Sequence, residues 1–260
     1  LLSRRQRQMC IRDRFLLIAQ APVVAILLAM VASEDIYSSY DDTKAIMFSI
    51  GCASIWLGLL NSVQEICKEK VILQKEHMAD LKLSSYLLSK FIVQGIIAFI
   101  QATLLVGIFQ KIVGSSEHSI LIDGYWDIQL VSFLSILAAA STGLFISAVV
   151  KNSNIAMSVI PLILVPQLLY SGMLFKLDGI TDFVSNFVLC RWTVEALGTS
   201  VNLNDLTHIA QTINPLIEIE PENYFTFTTE HMIEVIGIIL LMTAVSVSYT
   251  HLRAHETRRH

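Results

Sequence analysis

Six apolar runs, set apart by blocks of charge, decide what this chain can fold into. They cover Phe15–Ala32, Ala45–Asn61, Phe91–Val113, Leu130–Val150, Ile155–Met173 and Met232–Val247, each almost free of charged residues. Roughly 20 residues of helix cross a hydrocarbon core of ~30 Å, so each run approaches the length of a membrane span. Lipid offers no partner to an open backbone amide or carbonyl, which leaves helices or closed barrels. A barrel would show alternating segments of about ten residues instead. The balance of 54% hydrophobic against 15% charged residues lies outside the usual range for a soluble domain and agrees. The expected fold is therefore all-α, a polytopic membrane protein with six transmembrane helices at 15–32, 45–61, 91–113, 130–150, 155–173 and 232–247.

The two ends read differently. Eight of the 18 basic residues lie in 1–14 and 248–260, and the strings QMCIRDR (8–14) and VSYTHLRAHETRRH (247–260) resemble translated sequencing adapters. Both flanks are set aside from fold reasoning. Removing their eight basic and two acidic residues from the totals of 18 and 22 leaves ten against twenty, an acidic chain with no nucleic-acid signal. The region left for fold reasoning is then 15–247.

Orientation follows from lysine and arginine in short loops, which stay on the cytoplasmic side. The connection 62–90 holds Lys68, Lys70, Lys75, Lys82 and Lys90, whereas the connection after the first run carries Glu34, Asp35, Asp41 and Asp42 against Lys44. Placing 62–90 inside puts 151–154 inside, the acidic stretch 174–230 outside and both termini in the cytoplasm. A multi-pass protein of the cell membrane, in contact with lipid, is the expectation. The four cysteines, Cys10, Cys52, Cys67 and Cys190, show no paired metal or redox spacing. Cys190 falls in the outer stretch, where it is either an unpaired thiol or a bridge between two subunits.

Within 62–90 the apolar residues Ile66, Val71, Ile72, Leu73, Met78, Leu81 and Leu83 recur every three or four positions, the pattern of an amphipathic helix over 62–82. Glu65 with Lys68 and Glu76 with Lys75 or Lys82 would dress its wet face. The string from Asn61 through EICKEKVILQKEHMADLKLSSYLLSK resembles the second span and coupling helix of ABC transporter permeases of the ABCG-like exporter class. PQLLYSGMLF (166–175) is similar to that family's fifth span running into its outer constriction. RWTVEALG (191–198) looks like its re-entrant segment in the outer loop 174–230.

That resemblance implies a surface on Glu65, Glu69, Lys70, Lys75, Glu76 and Asp80 against which an ATP-binding domain, fused or separate, pushes. It implies a central cavity between two permease copies, most simply a homodimer, lined by Phe48, Cys52, Ile55, Trp56, Asn61, Ile163 and Gln167, and an outer plug at Met173 and Leu174. The expected function is the permease of an ATP-driven exporter that moves a hydrophobic or amphipathic cargo by alternating access. The chain itself needs no cofactor; ATP and magnesium belong to the partner domain.

Several classes are weakened by what the sequence lacks. GxxxxGK[ST] does not occur, so ATP hydrolysis is not expected here. Glu76 and His77 stand without a second histidine at zincin spacing, which argues against a membrane-embedded hydrolase. Charge within the runs is nearly confined to Lys111 and Glu234, unlike a proton relay. A channel or an assembly scaffold without ATP coupling remains as the alternative.

Overall fold

The computed structural model describes residues 2–32, 36–69, 83–116, 118–150, 152–175, 177–207 and 224–256, with the backbone alone for 2–15, 83 and 254–256. Eight helices organise these residues: α1 (Leu2–Val31), α2 (Tyr40–Ser62), α3 (Leu83–Val113), α4 (Gly124–Val149), α5 (Ser153–Leu169), α6 (Ile180–Ser185), α7 (Leu189–Ser200) and α8 (Thr229–Glu256). The fold is all-helical, as the apolar runs require. Among the described residues, four stretches are long and apolar enough to cross a membrane, Tyr40–Glu69, Ser84–Val113, Gly124–Val149 and Thr229–Arg253; Leu16–Val31 and Ser153–Leu169 are shorter apolar helices. Both flanks set aside above continue the terminal helices, α1 from Leu2 and α8 to Glu256. Once a helix is nucleated, each added residue gains a hydrogen bond, so polar segments extend it readily.

The frame of the bundle is the seam between α2 and α4, which pack more extensively than any other pair. Small residues make it possible. A Cβ on Gly58 would overlap the Ile136 carbonyl oxygen and crowd Ala139, and one on Gly143 would overlap Ser62 Oγ. Lipid tails are as apolar as leucine, so this approach is held by dispersion and by interhelical polar joints, each worth about 1 kcal/mol. One such joint is buried deep in the bundle. Asn61 Nδ2 donates to Gln101 Oε1 at 2.5 Å, Gln101 Nε2 donates to the Leu17 carbonyl at 2.8 Å, and Gln94 Nε2 donates to the Asn61 carbonyl at 3.3 Å. Helices α1, α2 and α3 meet there.

Around the seam, α3 packs on α1 and α4, and α8 packs on α4 and α7. Helix α7 is buried nearly throughout, wedged against α2, α4 and α8. Helix α5 lies at the edge and buries only Ala156, Ile160 and Leu164. At the start of α4 the preceding loop wraps a buried carboxylate: Asp127 accepts the amides of Ile120, Leu121 and Ile122 at 2.8, 3.1 and 3.2 Å. The negative charge also suits a helix N-terminus. Contacts of Ser84 with His251 and of Thr142 with Ser246 set α8 antiparallel to α3 and parallel to α4. The bundle therefore has two distinct ends, one at Lys90 and one at Arg191.

Candidate functional site

At the Lys90 end, the chain leaving α2 is fastened to two other helices. The amides of Ile66 and Cys67, in the helical turn 65–69, both donate to Ser147 Oγ of α4 at 3.0 Å. The Cys67 thiol donates to the Ser147 carbonyl at 3.0 Å. These contacts serve as an N-terminal cap supplied from another helix, in place of a local one. From α3, Lys90 Nζ reaches Glu65 Oε2 at 3.0 Å and Glu69 Oε1 at 2.6 Å, while Tyr86 OH donates to Glu69 Oε2 at 2.7 Å. Ile66, Leu87 and Leu144 close a small apolar core beneath the ion pairs.

Two of the six residues expected to face an ATP-binding domain, Glu65 and Glu69, thus turn to Lys90 of their own bundle. Their side chains keep 23% and 39% exposure against 12% for Lys90, so the lysine is the buried centre of the cluster. Lys70, Lys75, Glu76 and Asp80, with the remainder of the expected coupling helix, lie outside the described residues.

The expected cavity residues divide by their position round the helices. Phe48 and Cys52 are half-buried on α2 and Trp56 is exposed, at four-residue spacing that keeps them on adjoining faces. Ile55 precedes Trp56 by one residue, about 100° round the helix, and is buried in the core. Asn61 lies five residues on, about 140° round, and belongs to the joint with Gln101. The structure therefore does not bring Ile55 or Asn61 to the open face. On α5, Ile163 is half-buried, and Gln167 Oε1 accepts the Cys190 amide at 2.8 Å, capping the first turn of α7. Beyond α5, Met173 packs partly on the core and Leu174 is exposed. An open groove of about 570 Å³ lies elsewhere, between the start of α3 and the end of α8, with Ser84 and His251 at its rim.

At the Arg191 end a second charged cluster forms. Arg191 Nη1 donates to Ser185 Oγ at 2.5 Å, Asn186 Oδ1 at 2.8 Å and Asp182 Oδ1 at 3.2 Å, and the guanidinium stacks 4.7 Å from the Tyr224 ring. The four-residue spacing of Arg191 and Glu195 is realised as a long ion pair, 3.7 Å from Nε to Oε2. His231 Nε2 of α8 stands 3.3 Å from the other Glu195 oxygen. Burial pushes the Glu195 carboxyl up to about 7; Arg191 opposes that shift, while Glu234 and Asp182 add to it.

Sequence reasoning counted Lys90 only as a topological charge and had no signal for Ser147 as a cap. The lysine at the head of an apolar run, with two glutamates in the preceding connection, was the available clue. In the sequence Ser147 merely continues the small residues Ala139 and Gly143 at four-residue spacing.

Among the described residues, no group of three or more His, Cys, Asp or Glu is placed to hold a metal ion. A family model described as ABC-2 type transporter matches residues 1–200. The chain is also 22% identical, over 216 residues, to the ABC transporter ATP-binding/permease protein Rv1747 of Mycobacterium tuberculosis. That match covers 78% of this chain and 25% of the relative, so the chain spans about a quarter of its length.

Proposed function

This chain belongs to the ABC-2 type transporter family, and on that premise we propose that it is the permease of an ATP-driven exporter for a hydrophobic or amphipathic cargo. In this reading the chain is a transport component of the cell membrane that crosses it six times, with both termini and the Lys90 end in the cytoplasm. The energy comes from ATP and magnesium on an ATP-binding domain, and a second copy of the permease completes the pathway. The ATP-binding/permease name of the mycobacterial relative supports the first partner.

The observation that carries the reading is the fastening of residues 65–69. A segment that receives a push must pass it to the spans without yielding. Here the chain entering 70–82 continues from α2, is capped by Ser147 of α4 and is ion-paired to Lys90 of α3. A displacement of that segment would move three helices together, which is what a two-state rocking of the bundle needs. Phe48, Cys52 and Trp56 of α2, with Ile163 of α5, would then face the cargo, and Met173 and Leu174 would close the outer side.

The test is crosslinking from single cysteines, Lys75→Cys and Glu76→Cys, in membranes that contain the permease with its ATP-binding domain. Crosslinks to that domain that change in yield with nucleotide are expected. Their absence at both positions, with the domain demonstrably present, would sink ATP coupling and leave a channel or scaffold.

A further inference from the structure

Cys190 occupies the second position of α7, fully buried, and its sulfur lies 3.9 Å from that of Cys52 on α2. The charge pattern left Cys190 in an outer connection, either unpaired or facing a second subunit. The fold turns it inward instead, onto a cysteine 138 residues away in the same chain.

Two features hold the two thiols together. The backbones of α2 and α7 come close at this level because residue 51 is glycine: a Cβ there would stand 3.1 Å from Val194 Cγ2 and 3.3 Å from Thr193 Cγ2. The amide of Cys190 is held at 2.8 Å by Gln167 Oε1, so the first turn of α7 is fixed from α5. Cys52, by contrast, is half-buried, on the side of α2 that leads round to exposed Trp56. The Cys52 side chain is partly open at the face of α2, whereas the Cys190 sulfur is fully buried. Cys67 does not compete, since its thiol points at the carbonyls of Ser147 and Val150 at the Lys90 end.

We propose that Cys52 and Cys190 are a modification site, a dithiol that closes to an intrachain disulfide when the protein meets a small-molecule disulfide. A disulfide places its sulfurs about 2.05 Å apart, so the pair must close by just under ~2 Å, a movement that side-chain rotation at both residues supplies. The Cys52 thiolate attacks one sulfur of the small disulfide and expels the first small thiol, leaving a mixed disulfide on Cys52. Cys190 then loses its proton as it attacks the Cys52 sulfur, and the second small thiol departs. The two protein thiols give up two protons and two electrons, and the small disulfide takes them up as two thiols. The order of events follows from burial: Cys52 is the attacking residue and Cys190 the resolving one.

The bond would join α2 directly to α7, and through Gln167 to α5. Any motion that separates α7 from α2 is then blocked until the bond is reduced. This chemistry does not depend on the transport reading, and it is tested without a transport assay.

The full chain, in membranes or in detergent, is incubated with oxidised glutathione, quenched with an alkylating reagent, denatured, and its free thiols counted by intact mass. The expected result is the loss of two of the four thiols, with a linked peptide pair that contains Cys52 and Cys190 and a monomeric band on a non-reducing gel. Cys190→Ser should stop at the mixed disulfide and carry one glutathione on Cys52, whereas Cys52→Ser should leave Cys190 unmodified. Oxidised wild-type protein should also unfold at a higher temperature than reduced, a difference that Cys190→Ser abolishes. Four free thiols in the denatured wild type would overturn the proposal. So would a bond that links two chains, or a glutathione adduct on Cys190 in the Cys52→Ser variant.

Discussion

The two ends of the bundle use the same ingredients, a buried cation with two carboxylates and an aromatic ring, to different purposes. At the Lys90 end the partners come from separate elements. The lysine and Tyr86 belong to α3, the glutamates to the turn after α2, and the capping hydroxyl to α4. At the Arg191 end the arginine bonds mainly to the short stretch just before it, Asp182 to Asn186, and pairs with Glu195 on its own helix. The first cluster joins elements and can transmit displacement. The second shapes the turn before α7, reaches α8 through His231 and meets the Tyr224 ring, and keeps a carboxylate in a poor environment for its charge. Buried ion pairs are weak evidence for stability in themselves, since desolvation offsets much of their attraction. What separates the clusters is the set of elements each one ties together.

Breaking the frame that both ends share should have the largest effect. Gly143→Leu puts a side chain where Ser62 Oγ stands, with the Leu59 carbonyl oxygen 3.2 Å from even its Cβ. Overpacking typically costs about 1–3 kcal/mol, and a leucine that extends beyond an already overlapping Cβ should cost about 3 or more. Loss of folded, monodisperse protein on size-exclusion chromatography is the expected outcome. A stable Gly143→Leu protein would mean that the α2–α4 seam is not the frame and that the ends are independent.

The next effect in size distinguishes the ends by pH. The Glu195 carboxyl is raised from an ordinary value near 4.5 to about 7, chiefly by burial. A raised carboxyl means that the folded state binds the proton more tightly than the unfolded one. Stability is therefore greatest at low pH and falls as pH rises from about 4.5 to about 7, by up to ~3 kcal/mol. Glu195→Gln should remove that slope, visible as a melting temperature that no longer drops between pH 5 and 8. A wild-type slope that survives in Glu195→Gln would assign it to another group.

The Lys90 cluster is probed by charge and by cycle. Lys90→Met should cost about 1–2 kcal/mol, because Glu65 and Glu69 keep enough exposure to regain water. In a double-mutant cycle Lys90 with Glu69 should couple by about 1 kcal/mol, and Arg191 with Glu195, at 3.7 Å, by less than about 0.5. Equal coupling energies would erase the contrast between the ends. If the proposed ATP coupling holds, Lys90→Met also weakens cargo stimulation of ATP hydrolysis more than Arg191→Met does.

The helices were legible because lipid leaves a backbone few alternatives, so apolar length alone located them. The close approach of α2 and α4 has a sequence signal too, small residues at helical spacing: Ser54 with Gly58, and Ala139 with Gly143 and Ser147. Partners across the bundle were not legible. Helical spacing places Phe48 and Trp56 on adjoining faces of α2, yet no spacing rule says which face meets α3, and the bonds by which Asn61 joins three helices had no sequence signal. The flanks are a separate case, since their composition carries no helix signal and yet α1 and α8 extend through them. The pairing of Cys52 with Cys190 depends on α7 folding back against α2, which nothing in either local sequence specifies.

The smallest expected effect decides between two roles for one residue. Gln167 was expected to line a cavity, and its side-chain oxygen accepts the Cys190 amide at the start of α7. An amide donor at a helix start that loses its side-chain acceptor costs about 1 kcal/mol. Gln167→Ala should therefore lower the melting temperature slightly and speed hydrogen exchange at Cys190 and its neighbours, leaving the Lys90 end unchanged. Gln167→Glu retains an acceptor and should restore the protection. If Gln167→Ala leaves exchange at α7 untouched but changes cargo binding, the residue belongs to the pathway, and the Arg191 end loses one of the contacts that make it a rigid local unit.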